Sequence, residues 1–358
     1  MLLNNKNIIS LFSGAGGLDF GFKKAGFNIL YSNEYDKDIW ETHQKNFPET
    51  ILDKRNIAEI EPKTLPDCLG IIGGPPCQSW SEAGAMRGLD DNRGKLFFDF
   101  IRILKEKQPL FFLAENVSGM LAERHKSAFE QIQELFVDAG YRLSCKLLNA
   151  ADYNVPQDRK RVFFVGYRND IGLKFCFPNK SNKKVTLRDA IYDLKKDVLA
   201  SENNKTNGDR CVIPNHEYMI GDFSTIYMSR NRVRSWDEVS FTIQAGGRHA
   251  PLHPQAPKMK FIEQNVRIFV PSKEHLYRRL SIRECARVQT FPDNYVFYYS
   301  GLSSGYKMIG NAVPINLAYA LAKVIMEDLE KLGLVKNKKN SYNTQLEFFL
   351  EDMVPAYV

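Results

Sequence analysis

A chain of 358 residues with 44% hydrophobic and 25% charged residues can bury a sizeable core, and its composition excludes a disordered, fibrous or collagen-like polymer. The 49 Lys and Arg against 42 Asp and Glu leave a formal charge of +7, an excess that suits a polyanionic partner without requiring one. The six cysteines, at 68, 77, 145, 176, 211 and 285, have neither the paired short spacings of a zinc site nor the density of a disulfide scaffold. A reducing, cytoplasmic setting and no metal are therefore expected. The segment Met1–Lys6 lacks a signal-peptide pattern, and no stretch reads as the ~20 apolar residues of a membrane span, so a soluble protein without membrane association is expected.

In chain order, the apolar run 7–12 leads into Ser13-Gly14-Ala15-Gly16-Gly17, after which Leu18, Phe22 and Ala25 recur at helical spacing. That is a strand, a glycine turn and a helix. The pattern returns as a strand over 28–32 with a helix from Lys37, a strand over 70–73 with a loop, and a strand over 111–115 with a helix from Ala122 to Ala139. Alternating strands and helices predict a doubly wound α/β sheet. Runs 142–149 and 161–167 follow closely enough to add an antiparallel edge. Residues 169–275 are rich in Asn, Lys, Pro and Gly and read as a separate, smaller, irregular, β-leaning domain. This stretch holds 17 Lys and Arg against 12 Asp and Glu, so most of the net charge lies there. Helical patterning resumes at Ser281, and a second helix over 316–332 follows the turn Gly310–Pro314. The expected division is 1–168, 169–275, a return segment 276–332 and a tail 333–358 of unassigned role.

The glycine turn lets a ligand approach the backbone at a helix N-terminus. A ligand-free βα turn would use the same glycines. The second strand, however, ends in Glu34-Tyr35, an acid about 20 residues on, where a ribose diol is held. The order of glycines does not suit a pyrophosphate, which favours a ribose-bearing ligand without phosphate, such as S-adenosylmethionine.

The run Gly73-Gly74-Pro75-Pro76-Cys77 follows a strand and sets one thiol on a rigid turn at the carboxyl edge of the sheet, where open α/β sheets bind ligands. Glu115 ends another strand and reaches the same edge. A thiol and a carboxyl together fit nucleophilic attack assisted by an acid, although Glu115 could instead cap the next helix. Arg159 and Arg161 could lower a thiol pKa or hold a phosphate, or belong to a solvated face.

These blocks, in this order, resemble the DNA cytosine-5 methyltransferases of bacterial type II restriction-modification systems. The resemblance runs from Ile8 to about Leu329. It implies the S-adenosylmethionine-dependent methyltransferase fold, and transfer of a methyl group to carbon 5 of a flipped-out cytosine in duplex DNA, with S-adenosyl-L-homocysteine as product. Cys77 would be the nucleophile and Glu115 the acid, with Arg159 and Arg161 holding the base or tuning the thiol. Phe12, Gly14, Ala15, Gly16, Gly17, Leu18, Glu34, Tyr35, Asn56, Ile57 and Pro75 would hold the cofactor, and Asn311, Ala312 and Val313 would close its pocket. Asn56 stands where the family commonly has Asp, which weakens a contact to the adenine without changing the cofactor.

The resemblance further implies that 78–94 closes over DNA, with Gln78, Ser79, Ser81, Arg87, Arg93 and Gln157 in contact with it, and that 169–275 reads the sequence. There Arg230, Arg232, Arg234 and Arg248 suit guanine edges or phosphates. His249 and His253 read as packing or phosphate contacts. This segment resembles the branch acting within GGCC. A monomer is expected, sharing its site with a cognate restriction endonuclease that need not bind it. The alternatives are a tRNA cytosine-5 methyltransferase of the same fold, a non-catalytic DNA-binding regulator, and a thiol hydrolase, which would need a His near Cys77.

Overall fold

The computed structural model describes residues 6–76 and 92–335, the side chains of 92–95 excepted. A seven-stranded sheet has the order β3-β2-β1-β4-β5-β7-β6. Its strands are β1 (Asn7–Leu11), β2 (Asn28–Asn33), β3 (Ile51–Asp53), β4 (Gly70–Gly73), β5 (Phe111–Val117), β6 (Tyr141–Asn149) and β7 (Lys160–Arg168). The first five are parallel, and β7 inserts antiparallel between β5 and β6. The expected α/β doubly wound mixed sheet is what forms.

Both faces of the sheet are covered, which is why its strands are near-continuously apolar rather than alternating. Phe111 and Leu113 point into a core shared with α1 (Gly17–Lys24) and α8 (Ile315–Lys331), while Phe112 and Ala114 point to the opposite core under α3 (Asn92–Lys107) and α4 (Lys126–Asp138). α2 (Lys37–Asn46) lies between β2 and β3 in sequence.

Four elements differ from the sequence reading. β3 was not foreseen, its three residues being too few to carry a period. The helix expected from Ala122 begins at Lys126, because Ala122 is extended and two short 3-10 turns, Ser118–Leu121 and Glu123–His125, come first. α3 was not foreseen. Its run Leu96–Leu104 is apolar almost throughout, so period alone cannot separate a buried helix from a buried strand. α7 (Leu302–Asn311) also went unread. Gly305 and Gly310 weaken it locally, and burial of Leu302, Tyr306, Met308 and Ile309 sustains it.

Residues 169–275 hold only short elements: α5 (Leu187–Ile191), β8 (Leu199–Ala200), β9 (Glu217–Tyr218), β10 (Lys260–Glu263) and β11 (Val266–Ile268). α6 (Ile282–Val288) opens on a capping box in which Ser281 and Glu284 exchange hydrogen bonds. α6 and α7 share one core with Leu187, Ile191, Met219, Ile243 and Ala250 on one side and Ala15, Ile39 and Phe47 on the other. The stretch 302–331 is long and apolar enough to cross a membrane by length and composition, contrary to the sequence reading. It is interrupted between α7 and α8, and 67% of its most apolar window is buried.

Candidate active site

The strand order reverses between β1 and β4, and the carboxyl ends of these strands open on a cavity of about 620 Å³, the crevice expected of such a sheet. Its first wall is the turn after β1. Phe12 takes a left-handed conformation (φ 55°), a strained geometry that persists where the surroundings hold it. α1 then starts at Gly17 and presents its N-terminus to the cavity. A methyl group on Gly17 would lie 2.4 Å from the carbonyl oxygen of Val313, so glycine here is what lets the α7–α8 turn close against the β1 turn.

Glu34 accepts hydrogen bonds from the Gly14 N–H at 2.9 Å and the Asp36 N–H at 2.7 Å. Burial pushes its carboxyl above the usual carboxylate range, while those two N–H groups oppose the shift. Ser13 Oγ is buried in the cavity wall with no hydrogen-bond partner among the described residues.

Sequence reasoning missed what holds this turn. The buried carboxylate of Asp19 accepts from Ser10 Oγ (2.5 Å) and Ser32 Oγ (3.1 Å) and meets His43 Nε2 at 3.1 Å. One side chain thus ties α1 to β1, β2 and α2. Its one sequence signal was an acid in the first turn of an otherwise apolar helix face.

The second wall comes from β4, β5 and β7. Arg161 stands opposite Val117 across the antiparallel β5–β7 pair, so its side chain reaches diagonally to Glu115, and Nε meets Oε1 at 2.9 Å. Glu115 is 9% exposed. Burial raises its carboxyl above the usual range, and the Arg161 and Arg159 charges counter the rise. Asn116 donates to the Pro75 carbonyl at 2.9 Å, fastening the Pro-Pro loop to the end of β5. The sequence reading did not single out Asn116 for this role.

Arg159 reaches the cavity but is 1% exposed. It donates to the carbonyls of Ile243 (2.9 Å) and Gly310 (2.8 Å), and burial lowers its pKa to about 9.

One cavity therefore gathers Phe12, Gly14, Ala15, Gly17, Leu18, Glu34, Pro75, Asn311, Ala312 and Val313 with Glu115, Arg159 and Arg161. Gly16 stands behind it, where a methyl group would strike the Phe47 ring. Tyr35 is 68% exposed and Ile57 belongs to the core beneath α3. The Asn56 side chain caps a 3-10 turn by accepting from the Ala58 N–H. None of these four lines the cavity.

Gln157, expected at DNA, is fully buried and spends its amide on Gln289 and Ile243, so it faces no surface. Arg230 and Arg248 are exposed. Arg232 is tied to the Tyr227 carbonyl and ring, and Arg234 to Glu238 and the Phe241 ring. His249 is exposed, and His253 is buried against Trp236. Cys77, Gln78, Ser79, Ser81 and Arg87, and the side chain of Arg93, lie outside the described residues. Among the described residues no His, Cys, Asp and Glu group together as metal ligands would.

A switch-point cavity with a glycine turn, a facing strand-end acid and a buried carboxyl defines a class, and the family model for C-5 cytosine-specific DNA methylases matches residues 6–327. The chain belongs to that family and is a DNA (cytosine-5) methyltransferase. Within it, the chain is similar to the type II methyltransferases M.MthTI of Methanothermobacter thermautotrophicus (58% identity, covering 91% of this chain and 98% of the relative) and M.FnuDI of Fusobacterium nucleatum (56%; 92% and 97%). It thus belongs with the methyltransferases of type II restriction-modification systems. Among solved structures, a prophage-encoded Escherichia coli protein described as a DNA modification methyltransferase superimposes with a TM-score of 0.69 at 26% identity, covering 90% of this chain and 99% of that one. The Dnmt2 methyltransferase of S. pombe shares the fold, with a TM-score of 0.60 at 18% identity over 91% and 99%.

Proposed function

We propose that this enzyme methylates carbon 5 of a cytosine within GGCC in duplex DNA, using S-adenosylmethionine and a transient bond to Cys77, and so protects DNA from a cognate endonuclease. The observation that carries the reading is Glu115. A carboxyl biased towards its protonated form by burial stands in one cavity with the glycine turn and beside the loop leading to Cys77.

The wall suits a ribose-bearing sulfonium ligand without phosphate. Glu34 keeps free lone pairs towards a ribose diol, Ser13 Oγ awaits a partner, and the close contact of Gly17 with Val313 brings Asn311–Val313 over the same space. When bound, S-adenosylmethionine supplies the methyl group and departs as S-adenosyl-L-homocysteine. The chain's own residues make the cytosine nucleophilic. As the Cys77 sulfur bonds to carbon 6, Glu115 gives its proton to N3, and the electron pair reaches carbon 5, which takes the methyl group. A base, such as water, then takes the carbon 5 proton, the ring double bond re-forms as Cys77 leaves as thiolate, and N3 returns its proton to Glu115. This chemistry requires the base outside the helical stack. Arg161 keeps Glu115 aimed.

In this reading 1–168 is the catalytic and cofactor-binding unit, 169–275 reads DNA through Arg230 and Arg248, and 276–332 packs back on the first. The GGCC assignment rests on the resemblance of 169–275 to that branch. A cytoplasmic monomer is the working form.

Tritiated methyl transfer to duplex DNA and to tRNA separates this reading from an RNA enzyme; incorporation into RNA alone overturns it. Cys77→Ser abolishes transfer while leaving DNA binding intact, and unchanged transfer in that variant refutes the nucleophile. Bisulfite sequencing of DNA from cells producing the protein locates the methylated cytosine, and marks confined to any site other than GGCC overturn the assigned sequence.

A further inference from the structure

The proposed chemistry of the cavity leaves one buried polar cluster unexplained. Gln157 and Gln289 are both fully buried, and each amide has its orientation set by the backbone. The Gln157 carbonyl oxygen accepts from the Ile243 N–H at 2.9 Å, so its nitrogen faces Gln289 and donates to Oε1 at 2.9 Å. The Gln289 nitrogen in turn donates to the carbonyls of Ile309 (2.8 Å) and Ala312 (3.3 Å). Arg159 takes the other side of the same residues, donating to the Ile243 and Gly310 carbonyls. Both backbone groups of Ile243 are thus held by side chains two residues apart, Gln157 and Arg159. The backbones also touch, since a methyl group at Gly310 would lie 2.3 Å from the Gln244 carbonyl carbon.

Ile243 immediately precedes Gln244-Ala245-Gly246-Gly247-Arg248, and Arg159, Gly310 and Ala312 line the reaction cavity. We infer that Gln157 and Gln289 are positioning residues that, with Arg159, clamp the DNA-reading segment to the cavity wall, so that correct seating on DNA is relayed to the placement of Glu115. The inference rests on the proposal that 244–248 reads DNA. An apolar core would hold the two segments together without buried amides. What the amide pair adds is one permitted register, because any slip leaves buried donors and acceptors unmatched.

The test is single-turnover methyl transfer by the full chain, with tritiated S-adenosylmethionine and DNA saturating. The two duplexes carry the site found by bisulfite sequencing and the same site with one base pair exchanged. Gln157→Met and Gln289→Met are each expected to slow transfer on the true site about tenfold and to narrow discrimination by a similar factor, as for a buried amide losing its partner. Affinity for S-adenosyl-L-homocysteine stays within about twofold, and the double variant loses less than the sum of the two single ones, since the bond between the amides is broken in both.

Gln157→Glu is the control for folding. Protonated, it carries the amide's pattern of one donor and one acceptor; ionised, it sets two acceptors against Gln289 Oε1. Its rate relative to the wild type should therefore rise as pH falls from 9 to 6, which a purely structural role would not produce. Gln157→Met with rate and discrimination within about twofold of the wild type overturns the clamp. So does a loss that tracks melting temperature while Gln157→Glu ignores pH. Arg248→Ala separates the two ideas: unchanged discrimination there removes the reading segment, and with it the relay, whatever the Gln variants do.

Discussion

Glu115 and Arg161 act as a pair whose electrostatics can be read from opposing causes. Burial lifts the carboxyl and the guanidinium holds it down. In the proposed mechanism, Glu115→Gln keeps the shape and a hydrogen bond but cannot release a proton to N3, so methyl transfer should fall by about 10²–10⁴-fold, the usual worth of a general acid. Cofactor affinity measured by calorimetry should be unchanged. The acid works only when protonated, so the rate falls as pH rises through its pKa. Arg161→Ala removes the group that lowers that value, and the alkaline limb of the pH–rate profile should move to higher pH. A limb that moves down, or stays, would show that another group sets it. At this scale the sequence already exposed Glu34, Glu115 and Arg161, because the ends of strands reach the sheet edge whatever the packing. It did not expose Asp19 or Asn116, whose partners Ser10, Ser32, His43 and Pro75 are brought close by the fold.

The elements set how closely those residues approach one another. α1 abuts the turn between α7 and α8 only because Gly17 has no side chain. Gly17→Ala should overpack this contact and cost about 1–3 kcal/mol, seen as a lowered melting temperature together with weakened S-adenosyl-L-homocysteine binding. Loss of one without the other would mean that the turn and the helix are not coupled. At the end of β5, Asn116→Ala releases the Pro75 carbonyl and loosens the loop that leads to Cys77. Transfer should slow by about tenfold with the fold retained by circular dichroism, as for the loss of a buried hydrogen bond. The sheet strands other than β3, with α1, α2, α6 and α8, were legible from period and turn residues. α7 was not, since its glycines argue against a helix and its buried face is supplied by residues far away in sequence.

Across the whole molecule, the segment 187–278 is joined to α6 through a buried charge cluster. Glu284 forms a two-pronged ion pair with Arg278 at 2.7 Å, and His253 lies 3.4 Å from the same carboxylate. Despite its burial, Glu284 is held at a pKa of about 2 by Arg278, whereas burial lowers His253 to about 4. Glu284 therefore contributes stability above about pH 4.3, its unfolded value, and loses it as pH falls towards 2. The fold holds His253 neutral, so its contribution is complete above about pH 6.5 and is lost as pH drops through 4. Both signs agree, and melting temperature should fall from pH 6.5 to pH 4; His253→Gln should flatten that slope, and an unchanged slope would exclude the histidine as its source. By itself the sequence determined the sheet class, the family and the strand-end groups of the site, because these depend on local period, turn chemistry and motif order. Only the tertiary structure decided that Gln157 is a buried strut rather than a DNA contact, that Arg159 spans two backbones, and that the α7–α8 turn completes the cavity. Each depends on groups separated by some 80 to 300 residues meeting within hydrogen-bond or van der Waals distance, which no local pattern encodes.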